Sequence, residues 1–178
     1  EIKTKFEDDS NEHNKFKEDI VNIKKSRSSA KRPNPNTIFP KEKIGYIPCL
    51  YIKSKKPSDK IIIYFHSNYE DLGSTFNLCS SICDKINISI LAVEFPKYGI
   101  YKSEEYCNET LLIQDADIIY SFLTEVLSIP DNKIILFGRC VGSGPATYLA
   151  SRHNVLSLLL ISPFKSIKEA VRTLFPKT

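Results

Sequence analysis

A thiol held between two glycines carries the strongest chemical signal in this chain of 178 residues. Cys140 lies between Gly138 and Gly142, where the apolar run Ile134-Ile135-Leu136-Phe137 meets a helix-forming stretch with Pro145 in its first turn. The pattern predicts strand, tight turn and helix. A side chain thrust out at the apex of so sharp a turn brings strand and helix backbones too close for a β-carbon, and Gly138 and Gly142 supply the clearance. The turn would present Sγ at the top of a parallel sheet, where the positive end of the helix dipole favours the nucleophilic thiolate. The chemistry to expect of such a group is covalent attack on a carbonyl.

Other chemistry-bearing residues read differently. His66-Ser67-Asn68 form a loop directly after the apolar run Ile61–Phe65. Cys79 and Cys83 stand four apart on one helix, but two thiols fall short of the four ligands of a structural zinc site, so they read as core. No metal and no cofactor is expected. Tyr98 and Tyr101 are candidates for the wall of an acyl pocket or for packing beside a sheet edge. Asp115 and Asp117 read as solvated residues of a long helix.

Three stretches together resemble the α/β-hydrolase superfamily, and within it the branch of α/β-hydrolase-domain protein depalmitoylases. Residues 61–73, Ile-Ile-Ile-Tyr-Phe-His-Ser-Asn-Tyr-Glu-Asp-Leu-Gly, look like that branch's strand followed by H-G-N-A-x-D-L-G. Glu94-Phe95-Pro96-Lys97-Tyr98-Gly99 is similar to its D-Y-x-x-Y-G, and the third stretch is the Gly138-x-Cys140-x-Gly142 turn followed by Gly144-Pro145-Ala146-Thr147. The likeness runs from about Tyr46 to Phe164. It implies the α/β-hydrolase fold, a mostly parallel sheet with helices on both faces, and Cys140 in the nucleophile position where serine is usual. The oxyanion donors would be the backbone N–H groups of Val141 and Asn68, with His66 a structural residue beside that hole. Ser67 replaces the family glycine and adds a β-carbon where backbone approaches substrate.

The implied activity is acyl hydrolysis of the esterase or thioesterase kind, with protein depalmitoylation as the branch's reaction and an acylated small molecule or protein as substrate. Cysteine serves as nucleophile in dienelactone hydrolases of the same fold. The alternative is a catalytically disabled relative that binds acyl groups or protein partners, which Ser67 and Cys140, one departure in each half of the site, favour together.

The elements that must position these residues alternate between strand and helix. Residues 44–53 read as a strand, 55–59 as a turn, 61–65 as a strand buried on both faces, and 72–86 as a helix with Phe76, Cys79, Ile82, Cys83 and Ile86 on one stripe. A strand over 88–95, a turn over 96–99 and a helix over 109–127 that stops before Pro130 come next. The elbow strand and its helix follow, and 155–161 is the last strand. Such alternation implies right-handed crossovers in a mostly parallel sheet.

Residues 1–36 differ in character, being dense in Lys, Glu, Asp, Asn and Ser, and read as a polar, partly basic arm preceding a hydrolase domain over 37–178. Phe16, Ile20 and Ile23 are spaced for one face of a short helix. Lys24, Lys25, Arg27, Lys31 and Arg32 offer a patch for peripheral contact with an anionic membrane. The formal net charge of +4 is too small to argue for nucleic acid. Five cysteines, an odd number with no paired C-x-x-C knuckles, read as reduced thiols of a cytoplasmic protein, peripheral at a membrane if the arm binds one.

One requirement of the fold is missing. The acid and the histidine follow the nucleophile in chain order, whereas after Cys140 the histidine, His153, precedes the carboxylate, Glu169. His153 also lies 13 residues beyond Cys140, roughly 20 Å along a helix, and His13 belongs to the polar arm. The expectation is that this sequence is the N-terminal part of a larger hydrolase. The missing part would hold the Asp, the His and at least two more strands, leaving Val155 to Ile161 as an open apolar edge.

Overall fold

The five-residue apolar run Ile61–Phe65 forms the strand at the centre of the molecule because it has a hydrophobic layer to fill on each side. In the computed structural model, which describes residues 18–24 and 45–166, six strands make one sheet: β1 (Glu18–Lys24), β2 (Tyr46–Ile52), β3 (Ile61–Phe65), β4 (Ser89–Val93), β5 (Ile134–Arg139) and β6 (Ser157–Ile161). Their order is β1-β2-β4-β3-β5-β6. Strands β4, β3, β5 and β6 run parallel, while β2 pairs antiparallel with both β4 and β1.

Alternate residues of β3 point to opposite layers. Ile61, Ile63 and Phe65 pack with α2 (Glu109–Ser121) and α3 (Ser143–Arg152), through Leu112, Ala116, Ile119, Ala146 and Leu149. Ile62 and Tyr64 pack with α1 (Leu72–Ile86) through Leu72, Cys79 and Cys83. Helix α1 is started by a reciprocal cap: Asp71 accepts from the Ser74 N–H, and the Asp71 N–H donates to Ser74 Oγ, both at 2.8 Å. Asn87, in the left-handed region, ends it. Helix α2 is capped by Asn108 and widens into a π-helical turn, Phe122–Val126, within the span expected for one helix.

Two expectations are corrected. Ile20 and Ile23 lie in strand β1, not in a helical turn: Ile23 is buried, Val21 packs beside it, and Ile20 points outward. The spacing fitted a helix, but the alternation of Val21 and Ile23 against β2 decides the outcome, as tertiary pairing often overrides a short periodicity. Phe16 and basic residues 25–32 lie outside the described residues, as does His13. The second concerns Asp115, expected to be solvated. It is 3% exposed, on the inward face of α2 with Leu112, Ala116 and Ile119, and accepts from the Tyr101 hydroxyl at 3.0 Å. Asp117, half-buried, accepts from the Tyr148 hydroxyl.

The two edges of the sheet contrast. At one, β1 covers β2. At the other, β6 has β5 as its neighbour among the described residues, and Leu156, Leu159 and Ile161 are each nearly half exposed. Among the described residues no helix is long and apolar enough to cross a membrane.

Candidate active site

The parallel register sets Phe65 of β3 beside Gly138 of β5, so the segments that leave these two strands start side by side at one end of the sheet. One is the loop of His66, Ser67 and Asn68. The other is the turn that holds Cys140.

Cys140 has φ +51°, in the left-handed region that residues with a β-carbon rarely occupy. It opens a single 3₁₀ turn, Cys140–Gly142, which runs directly into α3, and its carbonyl accepts from Ser143 Oγ at 2.5 Å. The glycines beside it are sterically required. A β-carbon on Gly138 would come within 2.5 Å of the Gly142 carbonyl oxygen and 2.7 Å of the Ser143 Cα. One on Gly142 would lie 2.5 Å from the Phe65 carbonyl carbon and 2.7 Å from the His66 carbonyl oxygen. Gly142 therefore presses the elbow against the end of β3 and brings Cys140 and Val141 beside the His66 loop. Gly144, two residues on, faces open space.

His66 is fully buried and both ring nitrogens are engaged. Nδ1 lies 2.9 Å from the Ser67 carbonyl oxygen and Nε2 lies 2.9 Å from Glu94 Oε1. A carbonyl can only accept, so Nδ1 carries a proton. Glu94, 1% exposed, also accepts from the Leu72 and Phe95 N–H groups, which ties the loop after β3 to the start of α1 and the end of β4. Gly99, at φ +43°, closes over this pair: a β-carbon there would run into the Glu94 carboxylate. The His66 ring packs on Phe95 at 4.0 Å between centroids.

Ser67 is buried, and its φ is not positive, so its backbone sits where any L residue can. The Glu70 N–H donates to the Ser67 carbonyl at 3.1 Å, closing a tight turn whose central residues are Asn68 and Tyr69. Asn68 is exposed, and its side-chain oxygen accepts from the Tyr98 hydroxyl at 2.5 Å. Burial pushes the Tyr98 hydroxyl's pKa up, with the charge of Cys107 adding to it, which keeps the donor protonated. Tyr98 thus reaches the loop, whereas Tyr101 turns into the core toward Asp115.

The remaining histidine among the described residues, His153, caps the far end of α3 and stacks on Tyr120 at 3.9 Å. Cys79 and Cys83 are buried under the sheet, and among the described residues no cluster of three or more His, Cys, Asp or Glu is arranged to hold a metal. Two surface depressions, of about 730 and 580 Å³, are lined by residues 57–60 with 86–88 and by Glu105, residues 108–111 and Gln114, and neither touches Cys140.

Sequence reasoning missed three contacts here: Glu94 with His66, Tyr98 with Asn68, and Glu70 with Arg139. The first had a signal, since Glu94 fills the acidic position of the Glu94-to-Gly99 motif at the end of an apolar strand. Glu70 and Arg139 occupy motif positions that any residue can fill, and gave none.

No protein-family model matches the chain. Over 130 residues it is 27% identical to human alpha/beta hydrolase domain-containing protein 17C, which covers 73% of this chain and 38% of the relative. It is likewise 27% identical over 132 residues to alpha/beta hydrolase domain-containing protein aho-3 of Caenorhabditis elegans, covering 74% and 38%. The chain thus spans about two fifths of the length of the curated relatives it matches. Among solved structures, an alpha-beta hydrolase from Vibrio vulnificus superposes with TM-score 0.61 at 24% identity, covering 78% of this chain and 48% of that one. An alpha-beta serine hydrolase homologue from Coxiella burnetii gives 0.57 at 15% identity, covering 75% and 65%. With its parallel core, helices on both faces and glycine-flanked turn after β5, the chain has the α/β-hydrolase fold over the part that it spans.

Proposed function

We propose that the protein is an acyl hydrolase acting on ester or thioester bonds, with Cys140 as its nucleophile. The observation that carries the reading is the left-handed backbone of Cys140 between two glycines that have no room for a side chain. Such a conformation costs about 1–2 kcal/mol for a residue with a β-carbon. A turn that keeps this strain while projecting a thiol beyond a parallel sheet is suited to nucleophilic attack.

In the proposed reaction the Cys140 thiolate adds to the carbonyl carbon, and the backbone N–H groups of Val141 and Asn68 receive the developing oxyanion. The alcohol or thiol departs with a proton and leaves a thioester on Cys140. Water then releases the acid and restores the thiol. His66 is not the proton carrier, because its ring is buried and engaged at both nitrogens, and His153 stands at the wrong end of α3. The reading assigns that role, and the acid that orients it, to residues of the whole protein outside 1–178. The resemblance to protein depalmitoylases makes a fatty-acylated protein the leading substrate, met at the cytoplasmic face of a membrane to which residues 24–32 would be drawn.

Ser67 and Cys140, one departure from the family motif in each half of the site, support a second reading, a disabled relative that binds acyl groups without turnover. Mass spectrometry of the full-length protein after mixing with p-nitrophenyl acetate separates the two. The hydrolase reading expects one acetyl group on the peptide containing Cys140, followed by its release and continued p-nitrophenolate production, both lost in Cys140→Ala. No adduct at Cys140, or acetylation spread evenly over the cysteines, contradicts it. An adduct that forms and never clears leaves the second reading ahead.

A further inference from the structure

The loop of Asn68 and the turn of Val141 are joined by a side-chain bridge that neither motif specifies. Glu70 Oε2 accepts from the Ser67 N–H at 2.8 Å and from the Tyr64 hydroxyl at 3.3 Å, while Oε1 accepts from Arg139 Nη1 in a close ion pair. Ser67 directly precedes Asn68, and Arg139 directly precedes Cys140. One carboxylate therefore holds both segments, each within two residues of a proposed oxyanion donor.

We infer that the Glu70–Arg139 pair is a clamp that fixes the spacing between the two halves of the oxyanion hole, making Glu70 and Arg139 positioning residues for acyl transfer. The inference rests on the proposed role of Val141 and Asn68. Its physical basis is that a donor stabilises an oxyanion only when held within a few tenths of an ångström of the place where charge develops. The strands alone do not provide this, because the Phe65–Gly138 register ends before either donor. The backbone bond within the 67–70 turn shapes the loop but does not connect it to β5. Gly142 packs the elbow on Phe65 and His66, and Glu70 adds the polar link from the 67–70 turn to β5; its carboxylate is only 16% exposed, so water competes weakly for it. Burial alone would raise the Glu70 pKa. The bonds from Ser67, the charge of Arg139 and the Tyr64 hydroxyl outweigh it and hold the carboxyl below the ordinary carboxylate value. Arg139 is 41% exposed and approaches from the solvent side. The pair joins one guanidinium nitrogen to Oε1, which leaves Oε2 for Ser67 and Tyr64, so the two carboxylate oxygens divide the two segments between them.

The test compares two reactions of the same thiol in the full-length protein. Acylation by p-nitrophenyl acetate passes through an oxyanion, and alkylation by iodoacetamide does not. Glu70→Gln and Arg139→Gln should slow acylation of Cys140 about tenfold, less than the loss of a whole donor, and leave its alkylation rate within about twofold. Arg139→Lys, which keeps the charge on a side chain of different reach and donor geometry, should recover part of the loss relative to Arg139→Gln. Amide exchange of the peptide spanning residues 66–71 should quicken in both Gln variants. Unchanged acylation in the variants, a parallel loss of alkylation, or unchanged exchange of 66–71 would each overturn the clamp. If the wild-type thiol is alkylated but never acylated, the hydrolase reading fails, and amide exchange alone then decides whether the pair holds the loop.

Discussion

Cys140 and the pair Cys79 and Cys83 are the same residue type put to opposite uses. The pair sits on the inward stripe of α1 in ordinary helix, where it fills volume against β2 and β4, and Cys83 Sγ makes only a long contact of 3.8 Å to the Ile52 carbonyl. Burial pushes the Cys79 thiol's pKa up to about 12, with Glu70 and Cys83 adding to it, so it is inert at neutral pH. Cys140 is half-buried, lies at a strand end instead of within a helix, and occupies backbone that resists a side chain. What separates a candidate nucleophile from core packing is therefore the backbone that carries it. The elbow spends conformational strain where α1 gains packing.

That contrast can be broken most severely at the glycines. Gly142→Ala places a β-carbon into the backbone of Phe65 and His66, which cannot give way, and should cost about 3 kcal/mol or more of stability. Gly144→Ala, the same change two residues along, meets nothing and lies in helix α3, so it should stabilise by about 0.5–1 kcal/mol. Urea denaturation of the two variants reads both signs; equal effects would remove the steric account of the elbow.

Substituting the thiols is the next test in size. Cys79→Ala leaves a cavity under the sheet and should cost about 1–2 kcal/mol. Cys140→Gly relieves the left-handed strain and should gain about 1 kcal/mol. Thermal melts of the two should therefore move in opposite directions.

A smaller effect concerns alkaline pH. Because the folded Cys79 thiol is raised to about 12, the folded state holds its proton where the unfolded chain releases it. This contribution is fully present below the ordinary thiol value and is lost as pH rises toward about 12. Denaturation midpoints taken at rising alkaline pH should fall less steeply in Cys79→Ala than in the parent. The smallest expected change is Tyr98→Phe, which removes the hydrogen bond to Asn68, costs about 0.5–1 kcal/mol, and should loosen residues 66–70 without altering the elbow.

How far all this was readable in the sequence depended on whether a residue's partner lies nearby in the chain. The strand-turn-helix at Cys140, the helix over 72–86 and the buried runs of β3 and β5 were legible, because glycine spacing, helical periodicity and apolar continuity act over a few residues. Strand β1 was not, since Val21 and Ile23 acquire meaning only against β2 across residues 25–44. Asp115 was misread because a carboxylate on a helix usually faces water, and its Tyr101 partner comes from a separate loop. The Glu70–Arg139 pair joins residues 69 apart that meet through the parallel register of β3 and β5, and the composition of neither segment indicates it.

Cys140 lies half-buried on left-handed backbone, whereas Cys49, Cys79 and Cys83 are buried. Brief iodoacetamide treatment of the folded full-length protein at neutral pH, with peptide mass mapping of every cysteine, reads this difference. Cys140 should be labelled first while Cys49, Cys79 and Cys83 stay unmodified until denaturant is added. Cys140 left unmodified in the folded protein, or labelled no faster than the buried thiols, would contradict it.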